Sequence, residues 1–267
     1  MTGLQLAAGE QLVAAFVLAV ARTGAFVLVT PPFNTKAVPA QAKVTLALAL
    51  ALALTPALQQ GNTPALVSGE LVLRLLVQVV TGLALGFFVL LAVAAVQAAG
   101  DLVDLVGGFN SSIALDPLML TQTSVFGRLH QFVAVTALFA GDGHLMVLHG
   151  LSRSLQVMPD PAISWDALGR ALVGDVTSLL AGALQIAAPI IAAMLVADVS
   201  LGLLTRAAPA LNAFALAFPL KILFTLLLVG LVVVRLPDQL HTLVEHATLV
   251  IMHLSGADAA GAAPGGG

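Results

Sequence analysis

Residues 44–69, 75–100 and 176–197 each run without a single Asp, Glu, Lys or Arg. A membrane span needs roughly 20 apolar residues, so each of these runs is long enough to cross a bilayer. Only 9% of the 267 residues are charged and 60% are hydrophobic, with a mean hydropathy of +1.06; an ordinary soluble domain is about a quarter charged. The chain is read as an integral membrane protein. Backbone polar groups in lipid must be paired internally, which leaves helices or closed barrels. A barrel needs short alternating segments, whereas these apolar residues are continuous, so the expected class is all-α and polytopic.

Further candidate helices carry a charge near their middle. Residues 11–35 hold Arg22, residues 207–234 hold Lys221 after Pro219, and residues 129–151 are interrupted by GDGH at 141–144. An intramembrane charge is costly and usually faces a partner or water. The pattern predicts about six membrane-type helices, half of them compatible with lipid alone. Turn residues mark the boundaries at 31–43, 55–70, 157–170 and 198–209. At 237–254, Leu240, Leu243, Val244, Ala247, Val250, Ile251 and Leu254 recur at helical spacing, with Glu245 and three histidines on other faces, which predicts an amphipathic helix and not a span. Residues 1–255 are taken as a single helical domain, and the low-complexity stretch 256–267 as a disordered tail. The N-terminal stretch has no Lys or Arg before Arg22, unlike the basic start of a signal peptide, and reads as the beginning of the first helix.

Several function classes are disfavoured. With no cysteines there are no disulfides, thiolate metal sites or Cys nucleophiles. A net charge of -3 gives no reason to expect nucleic-acid binding. P-loop, GxGxxG, GxSxG and HExxH motifs are missing, so neither an enzyme nor a cofactor is expected. His144 and His149, five apart, point to different sides of a helix, and with Asp142 make no metal site. One Trp and no Tyr leave almost no interfacial aromatic belt. In a six-helix arrangement, Lys36, Lys43, Arg128 and Arg206 fall on one side, and Arg74, Arg153, Arg170 and Arg235 on the other. That tie fixes no orientation under the positive-inside rule and fits a chain placed by assembly with partners.

The intramembrane charges Arg22, Asp198, Arg206 and Lys221 are candidate functional groups. Arg22 is expected to pair with a carboxylate such as Asp101 or Asp198. Asp198 and Arg206, eight apart, are expected to form an ion pair. The Lys221 ammonium is placed to satisfy carbonyls freed by Pro219. A stand-alone secondary transporter would instead use Arg22, Asp198 and Lys221 to coordinate substrate or protons. In 80–100, the pair Gly82 and Gly86 followed by a run of alanines marks a helix built for close neighbours.

The segments ARTGAFVLVTPPFNTKAVPAQAKVTLALALALALTP, VTGLALGFF, AAGDLVDLVGGFNSSIALDP and, most specifically, LGLLTRAAPALNAFALAFPLK resemble the FliR family of bacterial type III export-gate proteins, in order, over residues of about 10 to 250. One departure is Gln78, where many members carry an acid, which puts any salt bridge made by that acid in doubt here. The resemblance implies a non-enzymatic channel component of the flagellar export apparatus, or its virulence-system equivalent. It would sit in the bacterial inner membrane at the flagellar basal body, with FliP-like and FliQ-like subunits and FlhB-like and FlhA-like components as partners and unfolded proteins as substrates. Helical hairpins would assemble into an export-gate pore, lifted largely out of the bilayer plane. It also implies a pore-plugging loop at 106–117, the alternative being a simple re-entrant turn without gating duty. There Gly107 and Gly108 would give flexibility, Phe109 and Ile113 an apolar seal, and Asn110, Ser111 and Ser112 tolerance of water. Asp116 before Pro117 would cap the following helix.

Overall fold

The computed structural model describes residues 2–58, 69–109, 124–156, 165–207 and 213–254. Their regular structure is entirely helical: α1 Thr2–Val29, α2 Ala40–Leu58, α3 Gly69–Gly107, α4 Val125–Ala140, α5 Gly143–Gln156, α6 Trp165–Ala207, α7 Ala213–Val233 and α8 Leu236–Leu254. An all-α membrane architecture is thus established. Among the described residues, Gly9–Val29, Gly69–Gly107 and Gly169–Ala207 are long and apolar enough to cross a membrane, and the number rises to five if each of two bent helix pairs counts as one span.

The expected set of spans needs correction at its ends. Arg22 does not break the first span, because its guanidinium is taken into the protein interior. Within 44–69, the apolar helix covers only Ala40–Pro56, and 59–68 lie outside the described residues. Residues 219–233 count as a span only together with the helix that follows. The break anticipated at GDGH is real: α4 stops at Gly141, and Asp142 adopts a left-handed backbone with φ of 57°. The residues 256–267 lie outside the described chain.

The helices form two compact units. Unit 1 comprises residues 1–91, 142–175 and 244–267, and its core gathers Ala15, Leu18, Ala19, Ala51, Leu71 and Leu155. Here α1 and α3 run in parallel. A Cβ added at Gly82 would meet the Arg22 carbonyl oxygen and lie 3.0 Å from the Ala25 Cβ, and one added at Gly86 would lie 2.8 Å from the Phe26 carbonyl oxygen. The residue numbers rise together along both helices, so their directions agree, and the GxxxG spacing sets the contact. Thr23 ties α1 to α2 by donating to the Ala47 carbonyl at 2.9 Å. Unit 2 comprises residues 92–141 and 176–243, with a core of Val103, Phe126, Ile190, Met194 and Val229.

The amphipathic reading of 237–254 holds. Leu236, Leu240, Val244 and Ala247 of α8 are buried, while His241, Glu245 and His246 are exposed.

Candidate functional site: the base of a central loop and the buried charges

Helix α3 ends at the stretch DLVGGF, and the reason is local. Gly108 has φ of 80°, a conformation only glycine takes at little cost, and the Phe109 N–H donates to the Asp104 carbonyl at 3.0 Å. A five-residue return across a left-handed glycine is the Schellman ending of a helix. Gly107 is committed as well, since a Cβ there would lie 2.8 Å from the Thr225 hydroxyl on α7. Both glycines therefore end and pack α3. Of the candidate loop residues only Gly107, Gly108 and Phe109 are described; Asn110, Ser111, Ser112, Ile113, Asp116 and Pro117 lie outside the described residues.

Across the stretch 110–123 the chain re-enters at Ser124, and there it is fastened to the end of α3. The fully buried Asp104 carboxylate accepts through Oδ2 from the Ser124 hydroxyl and, at 3.0 Å, from the Phe126 N–H. Ser124 in turn is the N-cap of α4, its Oγ accepting from the Gly127 N–H at 2.8 Å. An anion at a helix amino end is favoured by the helix dipole. The Phe109 and Phe126 rings meet edge to face, with centroids 5.0 Å apart, an arrangement worth about 0.5–1.5 kcal/mol beyond area burial. Gly100 lets the Phe126 backbone approach, and Gly127 leaves room for the Asp101 carboxylate. His130, fully buried one turn further along α4, directs Nδ1 at the Phe126 carbonyl at 2.8 Å.

Sequence reasoning had not singled out Asp104, Ser124, Phe126 or His130. A usable signal was present: two acids three apart, Asp101 and Asp104, directly before paired glycines, and a serine three residues before Gly127.

The intramembrane charges resolve differently from expectation. Lys221 on α7 pairs with Asp198 on α6 at 2.6 Å, so its ammonium is taken up by a carboxylate and not by carbonyls near Pro219. Asp198 therefore is not the partner of Arg206, which is exposed and two helical turns further on, roughly 12 Å by the rise of a helix. Arg22 hydrogen-bonds to Ser154 instead of a carboxylate: one terminal nitrogen donates to the Ser154 carbonyl and, at 3.1 Å, to its hydroxyl. Serine adapts to this because its own hydroxyl donates to the Leu151 carbonyl at 2.7 Å. The Nε and second terminal nitrogen of Arg22 find no hydrogen-bond partner among the described residues, and neither does Oε1 of the buried Gln78. Gln78 lies one turn before Gly82 on the α3 face that meets α1. Gln78→Glu is expected to stabilise the protein by about 1–2 kcal/mol, because a carboxylate at that level would compensate the buried cation. A melting comparison checks this, and a lower melting temperature for the variant would contradict it.

No group of three or more His, Asp or Glu among the described residues could hold a metal ion. The site's chemistry is that of packing and fastening.

The sequence is similar to those of known bacterial export proteins. The family described as "Bacterial export proteins, family 1" matches residues 13–247. The Flagellar biosynthetic protein FliR of Pectobacterium carotovorum subsp. carotovorum is 30% identical over 216 residues, 80% of this chain and 82% of that protein. FliR of Escherichia coli (strain K12) is 30% identical over 205 residues, covering 75% and 77% of the two chains. The Yop proteins translocation protein T of Yersinia pestis is 33% identical over 178 residues, covering 64% and 67%. With a match across nearly its whole length and FliR relatives aligned over most of both chains, this protein belongs to the FliR family of bacterial export proteins.

Proposed function

We propose that the chain is a channel-forming subunit of the flagellar type III protein export gate, in the inner membrane at the flagellar basal body, where unfolded substrates pass. Its partners are FliP-like and FliQ-like subunits, with FlhB-like and FlhA-like components beside them. The loop 106–117 acts in the closed gate as part of the seal.

The observation that carries this reading is the surface of α6 with α7. The span-like part of α6 is only 28% buried over its most apolar window, with Leu184, Leu195, Val199 and Leu203 all more than half exposed. Lipid could cover those side chains. It would not solvate Asp198 and Lys221, whose side chains are 43% and 23% exposed on the same pair of helices. A surface that mixes large apolar groups with an accessible ion pair fits protein neighbours and a water-filled conduit. The fastened base of 110–123 adds a second support, because a sealing loop needs fixed ends.

Relatives named FliR favour the flagellar version, while the similarity to the Yersinia protein keeps the equivalent subunit of a virulence secretion system as the second reading. Deleting the gene and following filament growth separates them: a strain that loses filaments but keeps effector secretion supports the flagellar reading. Normal filaments together with lost effector secretion would favour the second, and normal export of both kinds would sink the export role. Purification is a further check. A gate subunit should give a defined particle only with its FliP-like and FliQ-like partners, whereas a stand-alone transporter should be stable alone.

A further inference from the structure

Asp175 is the one ionisable residue in the stretch 171–197 of α6. Its side chain is only 7% exposed, and its Oδ1 finds no hydrogen-bond partner among the described residues. No Lys or Arg among them forms an ion pair with it, and the buried Arg22 is hydrogen-bonded to Ser154 instead. Burying a carboxylate without a partner is costly. The basic group that faces it is the imidazole of His246 on α8, in the same unit, with Nε2 3.7 Å from Oδ1.

The two partners differ in access. The His246 side chain is 54% exposed, so a proton from water reaches it directly. At 3.7 Å a neutral imidazole makes no hydrogen bond of ordinary length, and it brings no charge. An imidazolium brings both a donor and the missing positive charge, and histidine is the side chain that changes charge between about pH 5 and 8. The same half of α8 is also held on α5, where a Cβ added at Gly150 would lie 3.3 Å from the Thr248 methyl group; that contact is apolar and independent of pH. The other titratable groups on these helices are His144, His149 and Arg153 of α5, Asp238, His241, Glu245 and His253 of α8, and Asp166 and Arg170 of α6, which pair with each other. Residues 75–100 of α3 carry none.

We propose that Asp175 and His246 form a proton-dependent clasp between α6 and α8. One proton from water adds to the free ring nitrogen of His246, the imidazolium pairs with the Asp175 carboxylate, and the half of α8 from residue 244 onward is held on α6. When the proton leaves, the carboxylate is buried without a counter-charge and the clasp loosens. The sign follows from linkage. The closed form holds up to one proton more than the open form, so closing strengthens as pH falls, and the opening constant changes by at most about tenfold per pH unit. Burial of Asp175 is what gives the pair its effect, because an ion pair between two fully exposed groups contributes little.

The test is hydrogen–deuterium exchange over residues 244–250 of the full-length protein in its purified membrane complex, read by mass spectrometry. Variants are compared at equal pH, so the intrinsic pH dependence of exchange cancels. At pH 6, His246→Gln should exchange about fivefold faster than wild type, the upper range for a partly exposed ion pair; at pH 8 the two should agree within about twofold. His246→Lys, a cation at both pH values, should stay about fivefold slower than His246→Gln at both. In an Asp175→Asn background, His246→Gln should change exchange by less than about twofold at either pH, since the partner's charge is gone. His246 is half exposed, so its substitutions leave the core in place. Equal effects of His246→Gln at pH 6 and pH 8, no effect at pH 6, or an effect that persists in the Asp175→Asn background would each overturn the proposal.

Discussion

Asp104→Ala is expected to be among the most damaging single substitutions in the chain, at about 3 kcal/mol. The carboxylate is fully buried and accepts from both the Ser124 hydroxyl and the Phe126 N–H. Alanine would strand these donors and remove the anion from the amino end of α4. Asp104→Asn should fall between alanine and wild type, because it keeps one acceptor oxygen and loses the charge. Ser124→Ala should cost only about 1 kcal/mol, the usual value of an N-cap. Melting of the purified complex gives the ranking, and limited proteolysis within 110–123 reads the consequence for the loop. Faster cleavage in Asp104→Ala than in Ser124→Ala is the expected order; unchanged melting and cleavage in Asp104→Ala would mean that the carboxylate does not fasten the loop.

Gly82→Leu is expected to be similarly severe, for a steric reason. A Cβ at Gly82 points at the Arg22 carbonyl oxygen and lies 3.0 Å from the Ala25 Cβ, so α1 and α3 would have to separate. Overpacking of this kind costs about 1–3 kcal/mol, occasionally more, and here it would also move Arg22 away from Ser154. Gly24 supplies the control in α1. Nothing lies within 4 Å of the position a Cβ would take there, so Gly24→Ala should be neutral or stabilise by up to about 1 kcal/mol, the difference in helix propensity. Two glycines in neighbouring helices should thus respond in opposite directions. Equal melting temperatures for Gly82→Leu and Gly24→Ala would contradict the packing described.

The fold class was legible in the sequence because lipid compatibility is a property of composition over long windows. The amphipathic helix α8 and the close approach at Gly82 and Gly86 were legible because their spacing repeats every three or four residues. Pairing of the charges was not. Asp198 and Arg206 share a helix, but Lys221 reaches Asp198 from the next one, and sequence spacing carries no record of a contact between helices. Arg22 was assigned a carboxylate because buried cations usually have one; Ser154, 132 positions away, gives no signal as a counter-group. The two glycines of the central stretch were read as flexible backbone; in the structure one ends α3 and the other admits Thr225. A left-handed backbone angle and a close contact both call for glycine, and the sequence does not distinguish these demands from a need for flexibility.

The most direct test of the gate is the ion conductance of the assembled complex carrying a deletion of 110–117. This deletion spares Gly108, Phe109 and the Asp104–Ser124 fastening, so the helices at the base of the loop are left in place. The account predicts a leak clearly above that of wild type, with the complex still assembled. An intact complex with wild-type conductance would contradict it.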